Sequence, residues 1–126
     1  MKKIHIETYG CQMNISDSEV VASILKNEGY EYTKDINDAD VILLNTCSIR
    51  EHAEIKIVQR LNELKKLKKV KETLLLGVIG CMAERLNNRL FEKKGLVDVV
   101  AGPDSYRSLP QLLDDAFEKR LAMNVE

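Results

Sequence analysis

What the sequence lacks sets its first limits. It has no run of roughly eighteen or more apolar residues, so no segment reads as a membrane-spanning helix. Met1-Lys2-Lys3 leads into alternating polar and apolar residues rather than an apolar block, which argues against a secretory signal. The net charge is -1 at pH 7, so the domain as a whole lacks the basic signature of an autonomous nucleic-acid binder. Neither a Gly-x-Gly-x-x-Gly nor a Walker sequence is present, which counts against a nucleotide-binding module. The three cysteines are too few and odd in number for a disulfide framework. These absences lead us to expect a cytoplasmic protein with no membrane partner, whose cysteines are buried, catalytic or metal-bound.

What is present is a single domain over residues 1–126 with enough apolar content, 44%, for a real core. Residues 3–8 alternate, with Ile4 and Ile6 on one face, and predict a first strand. Ser16 and Glu19 form a Ser-x-x-Glu capping box that predicts a helix over Val20, Ile24 and Leu25, closed by Gly29. Residues 31–33 favour a short strand, and the apolar run at 41–44 fits a strand buried on both faces. Ser48 and Glu51 form a second capping box. The helix after it is predicted to reach about Lys69, with Ile49, Ile57, Leu61 and Leu64 along one stripe. A buried strand at 74–79, a helix at 83–93 stopped near Gly95, a weaker strand at 97–100, a turn at 102–104 and a last helix at 109–120 complete the pattern. Strands alternating with helices imply right-handed βαβ units. The expected fold is α/β: a doubly wound, mostly parallel sheet of four to five strands in a flavodoxin- or Rossmann-like three-layer sandwich.

Each cysteine directly follows a predicted strand: Cys11 after the first, Cys47 after the run at 41–44, and Cys81 after the strand at 74–79. Strands of a parallel sheet point the same way, so their C-terminal ends share the edge at which open α/β folds bind ligands. The cysteines lie 36 and 34 residues apart, room enough for helical crossovers between them. Thiolates brought together repel unless a metal or cluster neutralises them, and soft sulfur suits iron–sulfur clusters and zinc. Helices beginning after the cysteines would favour that negative charge, and Gly10 and Gly80 would allow close backbone approach. Two other readings stand beside this one. One is three buried core cysteines; the other is a zinc site completed by His52 or, less suitably placed, His5.

The motifs Thr8-Tyr9-Gly10-Cys11-Gln12-Met13-Asn14, Asn45-Thr46-Cys47-Ser48-Ile49-Arg50-Glu51 and Gly80-Cys81-Met82-Ala83 resemble the N-terminal domain of radical S-adenosylmethionine methylthiotransferases. The resemblance covers nearly the whole chain, including Gly102-Pro103. Gln12-Met13-Asn14 and Ser48-Ile49-Arg50 look like the branch that makes 2-methylthio-N6-isopentenyladenosine in tRNA. Sibling branches act on threonylcarbamoyladenosine or on a ribosomal protein, and the latter usually carries Pro-Lys-Asn after its first cysteine.

The resemblance implies that Cys11, Cys47 and Cys81 ligate an auxiliary [4Fe–4S] cluster with one iron left open for sulfur. It implies a transferase that methylthiolates C2 of the adenine at tRNA position 37, with tRNA as partner and the sulfur donor unspecified. It also implies S-adenosylmethionine and a second [4Fe–4S] cluster on a Cys-x3-Cys-x2-Cys motif. This chain has no such motif, so we expect the radical S-adenosylmethionine domain and the RNA-binding module to lie outside it. The fragment is expected to be inactive alone, and none of its residues is assigned a catalytic role. A non-catalytic flavodoxin-like binding module is the remaining alternative.

Lys65, Lys66, Lys68, Lys69 and Lys71 form a basic run that reads first as a solvated helix end and second as a phosphate contact. Arg50 and Arg85 stand closer to cysteines. Asn14 and Asn45 are candidate hydrogen-bond donors to cluster sulfur, or caps of a turn or helix.

Overall fold

The apolar runs of the sequence become the inner strands of an all-parallel sheet. The computed structural model describes residues 2–9, 12–46, 51–80 and 97–125. Strands β1 (Lys2–Tyr9), β2 (Tyr30–Tyr32), β3 (Val41–Thr46), β4 (Leu75–Gly80) and β5 (Val99–Ala101) pair in the order β2-β1-β3-β4-β5. All four pairings are parallel. This is the 2-1-3-4-5 order of flavodoxin-like sheets, and the expected three-layer α/β fold is what forms.

Both central strands are buried along their whole length. The reason is that helices cover both faces, and alternate residues of each strand serve different cores. Val41 and Leu43 pack with Ile4, Val21, Leu25, Leu109 and Leu113 beneath α1 (Gln12–Asn27) and α3 (Leu109–Val125). Ile42 and Leu44 pack on the other side with Ile57, Leu61 and Leu64 of α2 (Glu51–Val70), the stripe predicted for that helix. From β1 the chain goes through α1 to β2 at one edge. It then passes back across β1 to β3, so the winding direction reverses between β1 and β3.

Several boundaries differ from expectation. α1 starts at Gln12, which leaves Ser16 and Glu19 inside the helix and exposed rather than as its cap. The start is set by where β1 ends and the chain must turn back over the sheet, a constraint that a local capping pattern does not contain. The buried stripe of α1 is Val21 and Leu25; Val20 faces solvent. β2 and β5 are each shifted by one or two residues, with Thr33 N–H still donating to the Ile4 carbonyl. Gly102-Pro103-Asp104 does not make an isolated turn. Pro103 opens a 3-10 helix, Pro103–Ser108, that runs straight into α3, and α3 itself extends to Val125. Proline suits that opening position because it needs no N–H donor there. Ser48, the helix expected at 83–93 and Gly95 lie outside the described residues.

Gly29 ends α1 as expected, with φ of 94° and its N–H bonded to the Lys26 carbonyl at 3.1 Å. A Cβ there would meet no atom within 4 Å. Gly29→Ala should therefore carry only the left-handed backbone strain, about 1 kcal/mol in urea unfolding.

Candidate functional site at the carboxyl edge of the sheet

Tyr9, Thr46 and Gly80 pair across β1, β3 and β4 as one continuous row. Adjacent strands lie about 4.8 Å apart, so the three points at which the chain leaves the sheet span about 10 Å. In the sequence the next residue after Thr46 is Cys47, the next after Gly80 is Cys81, and Cys11 stands two beyond Tyr9. The cysteines themselves lie outside the described residues. What the structure brings together is the three strand ends that lead to them, at the point where the winding reverses. Carboxyl-edge ligands of open α/β sheets bind at such a reversal.

Two polar devices, one on each face, tie this edge together. On the α1 side Asn45 is fully buried, although the four residues before it are all apolar. Its amide Nδ2 donates to Ser18 Oγ at 2.8 Å, and Ser18 Oγ lies 2.7 Å from Thr8 Oγ1. On the α2 side Thr46 donates from Oγ1 to the Ile79 carbonyl at 3.0 Å. Gly80 has φ of 100°, and a Cβ built on it would stand 2.2 Å from the Thr46 carbonyl oxygen and 2.8 Å from Asn45 Oδ1. The backbone of β4 thus reaches the edge in a conformation and at a spacing that only glycine allows.

Also on the α2 side, Arg60 grips Glu7 with two hydrogen bonds, Nε to Oε1 at 2.8 Å and Nη2 to Oε2 at 2.6 Å. Tyr9 donates its hydroxyl to Glu7 Oε1 at 2.6 Å. Burial by itself would raise the Glu7 pKa, but the Arg60 guanidinium and the Tyr9 hydroxyl outweigh it and hold the carboxyl below its ordinary value. The Tyr9 phenol is pushed up to about 12, first by burial and then by the Glu7 carboxylate beside it. Arg60 is raised further by its bonds to Glu7 and is charged throughout.

The remaining candidates sort as follows. His5 sits in the middle of β1, its Nδ1 at 2.9 Å from the Thr33 carbonyl, away from the strand end that leads to Cys11. Among the described residues no three His, Cys, Asp or Glu side chains gather as a metal site. Lys68 is paired with Asp98, and Lys71 with Asp40 at 3.0 Å, at the opposite edge of the sheet. Lys65, Lys66 and Lys69 are exposed on α2. Asn45, read from sequence as a donor to cluster sulfur or as a cap, donates from Nδ2 to Ser18 Oγ at 2.8 Å. Arg50 and Arg85, and the side chains of Asn14 and His52, lie outside what is described. The Glu7–Arg60 pair and the role of Ser18 were missed by sequence reasoning. The one available signal was a charged residue on the otherwise helix-covered face of β1.

Comparison with known proteins adds the family. The model of uncharacterized protein family UPF0004 matches residues 3–102. Two relatives are both named tRNA-2-methylthio-N(6)-dimethylallyladenosine synthase. The one from Chloroherpeton thalassium is 51% identical over 123 residues, 98% of this chain and 27% of that protein. The one from Porphyromonas gingivalis strain W83 is 50% identical over 128 residues, 99% of this chain and 27% of that protein. The chain thus spans about a quarter of the length of these curated relatives. The resemblance carried by the three cysteine motifs is borne out at the level of the family: the chain belongs to the UPF0004 family.

Proposed function

We propose that Cys11, Cys47 and Cys81 hold one [4Fe–4S] cluster. In this reading the domain is the auxiliary cluster-carrying part of an enzyme that methylthiolates C2 of N6-isopentenyladenosine at tRNA position 37. The observation that carries the reading is the row Tyr9–Thr46–Gly80, three adjacent strand ends that each lead to a cysteine. The donor set fits the group. Three soft thiolates suit iron–sulfur ligation, and three rather than four leave one metal position free of protein. Bound there, the cluster supplies the open coordination position that a sulfur to be transferred requires.

The chain's own contribution is placement and charge. α1 begins at Gln12, directly after Cys11, so its first amides and the positive end of its dipole favour an anionic cluster–thiolate unit. Gly80 lets β4 lie against the Thr46 backbone, which keeps the strand ends that precede Cys47 and Cys81 one strand spacing apart. The names of the relatives support tRNA as the partner. The radical step needs S-adenosylmethionine and a second cluster. We assign both to the part of those proteins that this chain does not match, and expect the domain alone to lack transferase activity.

Anaerobic reconstitution followed by iron and sulfide analysis tests the reading. The wild type should retain one cluster per chain, and Cys11→Ala, Cys47→Ala and Cys81→Ala should each lose most of it. Full retention in all three variants would sink the proposal. Zinc without sulfide would replace it by a structural metal site.

A further inference from the structure

We infer that Asn45 and Ser18 are positioning residues: their hydrogen bond sets the relative placement of the segments that carry the three cysteines. The inference rests on the proposed convergence of those cysteines and adds to it the device that holds them.

Asn45 is the place where β3 changes character. The strand spends Val41, Ile42, Leu43 and Leu44 on the two cores and then buries a primary amide completely. Such a group costs about 1–3 kcal/mol when left unpaired, so its position is tied to its partners. Those partners lie on different segments. Nδ2 donates to Ser18 Oγ on α1 at 2.8 Å, and that oxygen is 2.7 Å from Thr8 Oγ1 on β1. Oδ1 occupies the space that a Cβ on Gly80 of β4 would need, 2.8 Å from it. One side chain of β3 therefore bonds α1, is linked to β1 through Ser18, and stands against Gly80 of β4. Cys11 lies in the sequence between Thr8 and Ser18, Cys47 two residues after Asn45, and Cys81 one after Gly80.

Apolar contacts resist sliding weakly because they are non-directional, whereas a directional hydrogen bond from a fully buried amide tolerates little displacement. The rest of β3 is already buried in the two apolar cores. What the amide adds at this edge is a fixed placement of three strand ends against α1. A neutral amide also adds no charge beside groups that become anionic on metal binding.

Arsenite binding to the reduced, metal-free chain reads that placement without iron or turnover. Arsenous acid condenses with three thiols to form three As–S bonds. Each thiol proton leaves with one hydroxide as water, and no atom changes oxidation state. The wild type should bind one arsenic per chain, and each cysteine variant should weaken it. Asn45→Leu keeps the shape and suits the strand. Ser18→Ala removes the same bond from the helix side, and Ser18→Thr keeps the oxygen.

We expect Asn45→Leu and Ser18→Ala to bind arsenite about ten- to a hundred-fold more weakly while their unfolding midpoints stay near wild type. Ser18→Thr should restore most of the affinity. Wild-type affinity in both Asn45→Leu and Ser18→Ala would overturn the inference, as would weakening that only tracks lost stability. Should Asn45→Leu fail to fold, Ser18→Ala, at a half-buried site, decides by itself. A wild type that binds arsenite through three cysteines but holds no cluster refutes the cluster reading and leaves the positioning role intact. A wild type that binds no arsenite refutes the convergence and the positioning role together.

Discussion

Gly80→Ala should destabilise the domain by about 3–5 kcal/mol, far more than the otherwise similar change at Gly29. The two glycines share a left-handed backbone, with φ of 100° and 94°. Around Gly29 an added Cβ meets open space. Around Gly80 it meets the Thr46 carbonyl oxygen at 2.2 Å and the Thr46 nitrogen at 3.0 Å. Both are backbone atoms of the neighbouring strand and cannot rotate away. Relief requires β3 and β4 to separate where Thr46 pairs with Gly80, which also disturbs the Thr46 bond to the Ile79 carbonyl. Since a small domain has only about 5–15 kcal/mol of net stability, the change removes a large share of it. Urea unfolding of the two alanine variants side by side is the measurement. Equal losses would show that strain alone matters and that the close approach at the edge relaxes freely. The same variant should also weaken thiol convergence, because its distortion lies one residue from Cys81 in the sequence.

Removing Arg60 as Arg60→Met should cost about 2–4 kcal/mol, somewhat below the range for fully buried pairs because both partners keep some contact with water. The side chains of Glu7 and Arg60 are 15% and 27% exposed. Loss of the guanidinium leaves the Glu7 carboxylate beside an apolar layer, with the Tyr9 hydroxyl at 2.6 Å and His5 Nε2 at 3.4 Å as close partners. The pair also sets a pH dependence. Glu7 is held below its ordinary value of 4.5 in the folded protein, so the folded state binds its proton less readily than the unfolded chain. The stabilisation is therefore complete above the unfolded pKa and is lost as pH falls from there through the lower folded value. Asp40, whose pKa is lowered against burial by the Lys3 N–H and by Lys71, contributes with the same sign. Unfolding free energy measured across the acid range should thus fall less steeply in Glu7→Gln than in the wild type, with the remaining slope reduced again by adding Asp40→Asn. Superimposable pH profiles for wild type and Glu7→Gln would show that the pair makes no such contribution.

These two changes act at places of different legibility. Gly80 was singled out by sequence because it precedes a cysteine after an apolar run, a purely local pattern. That it also closes against Thr46 could not be read there, since the contact joins residues of two strands separated by all of α2. Glu7 and Arg60 carry no mutual signal at all in the sequence. They meet because β1 and α2 are stacked in space, and an ion pair that joins distant elements leaves no periodicity behind. The capping box at Ser16 shows the opposite failure, a local pattern that tertiary structure ignores because the end of β1 decides where α1 begins.

By itself the sequence determined that strands and helices alternate, which strands are buried on both faces, and that three cysteines follow strand ends. Apolar periodicity and chain adjacency are local, and they survive in one dimension. Only the tertiary structure decided that β1, β3 and β4 are neighbours, that Tyr9, Thr46 and Gly80 fall in one row, and that Asn45 is bound to Ser18. Strand order and register are settled by long-range pairing and by the packing of helices on both faces. Three cysteines tens of residues apart therefore become a candidate site only once the sheet is assembled.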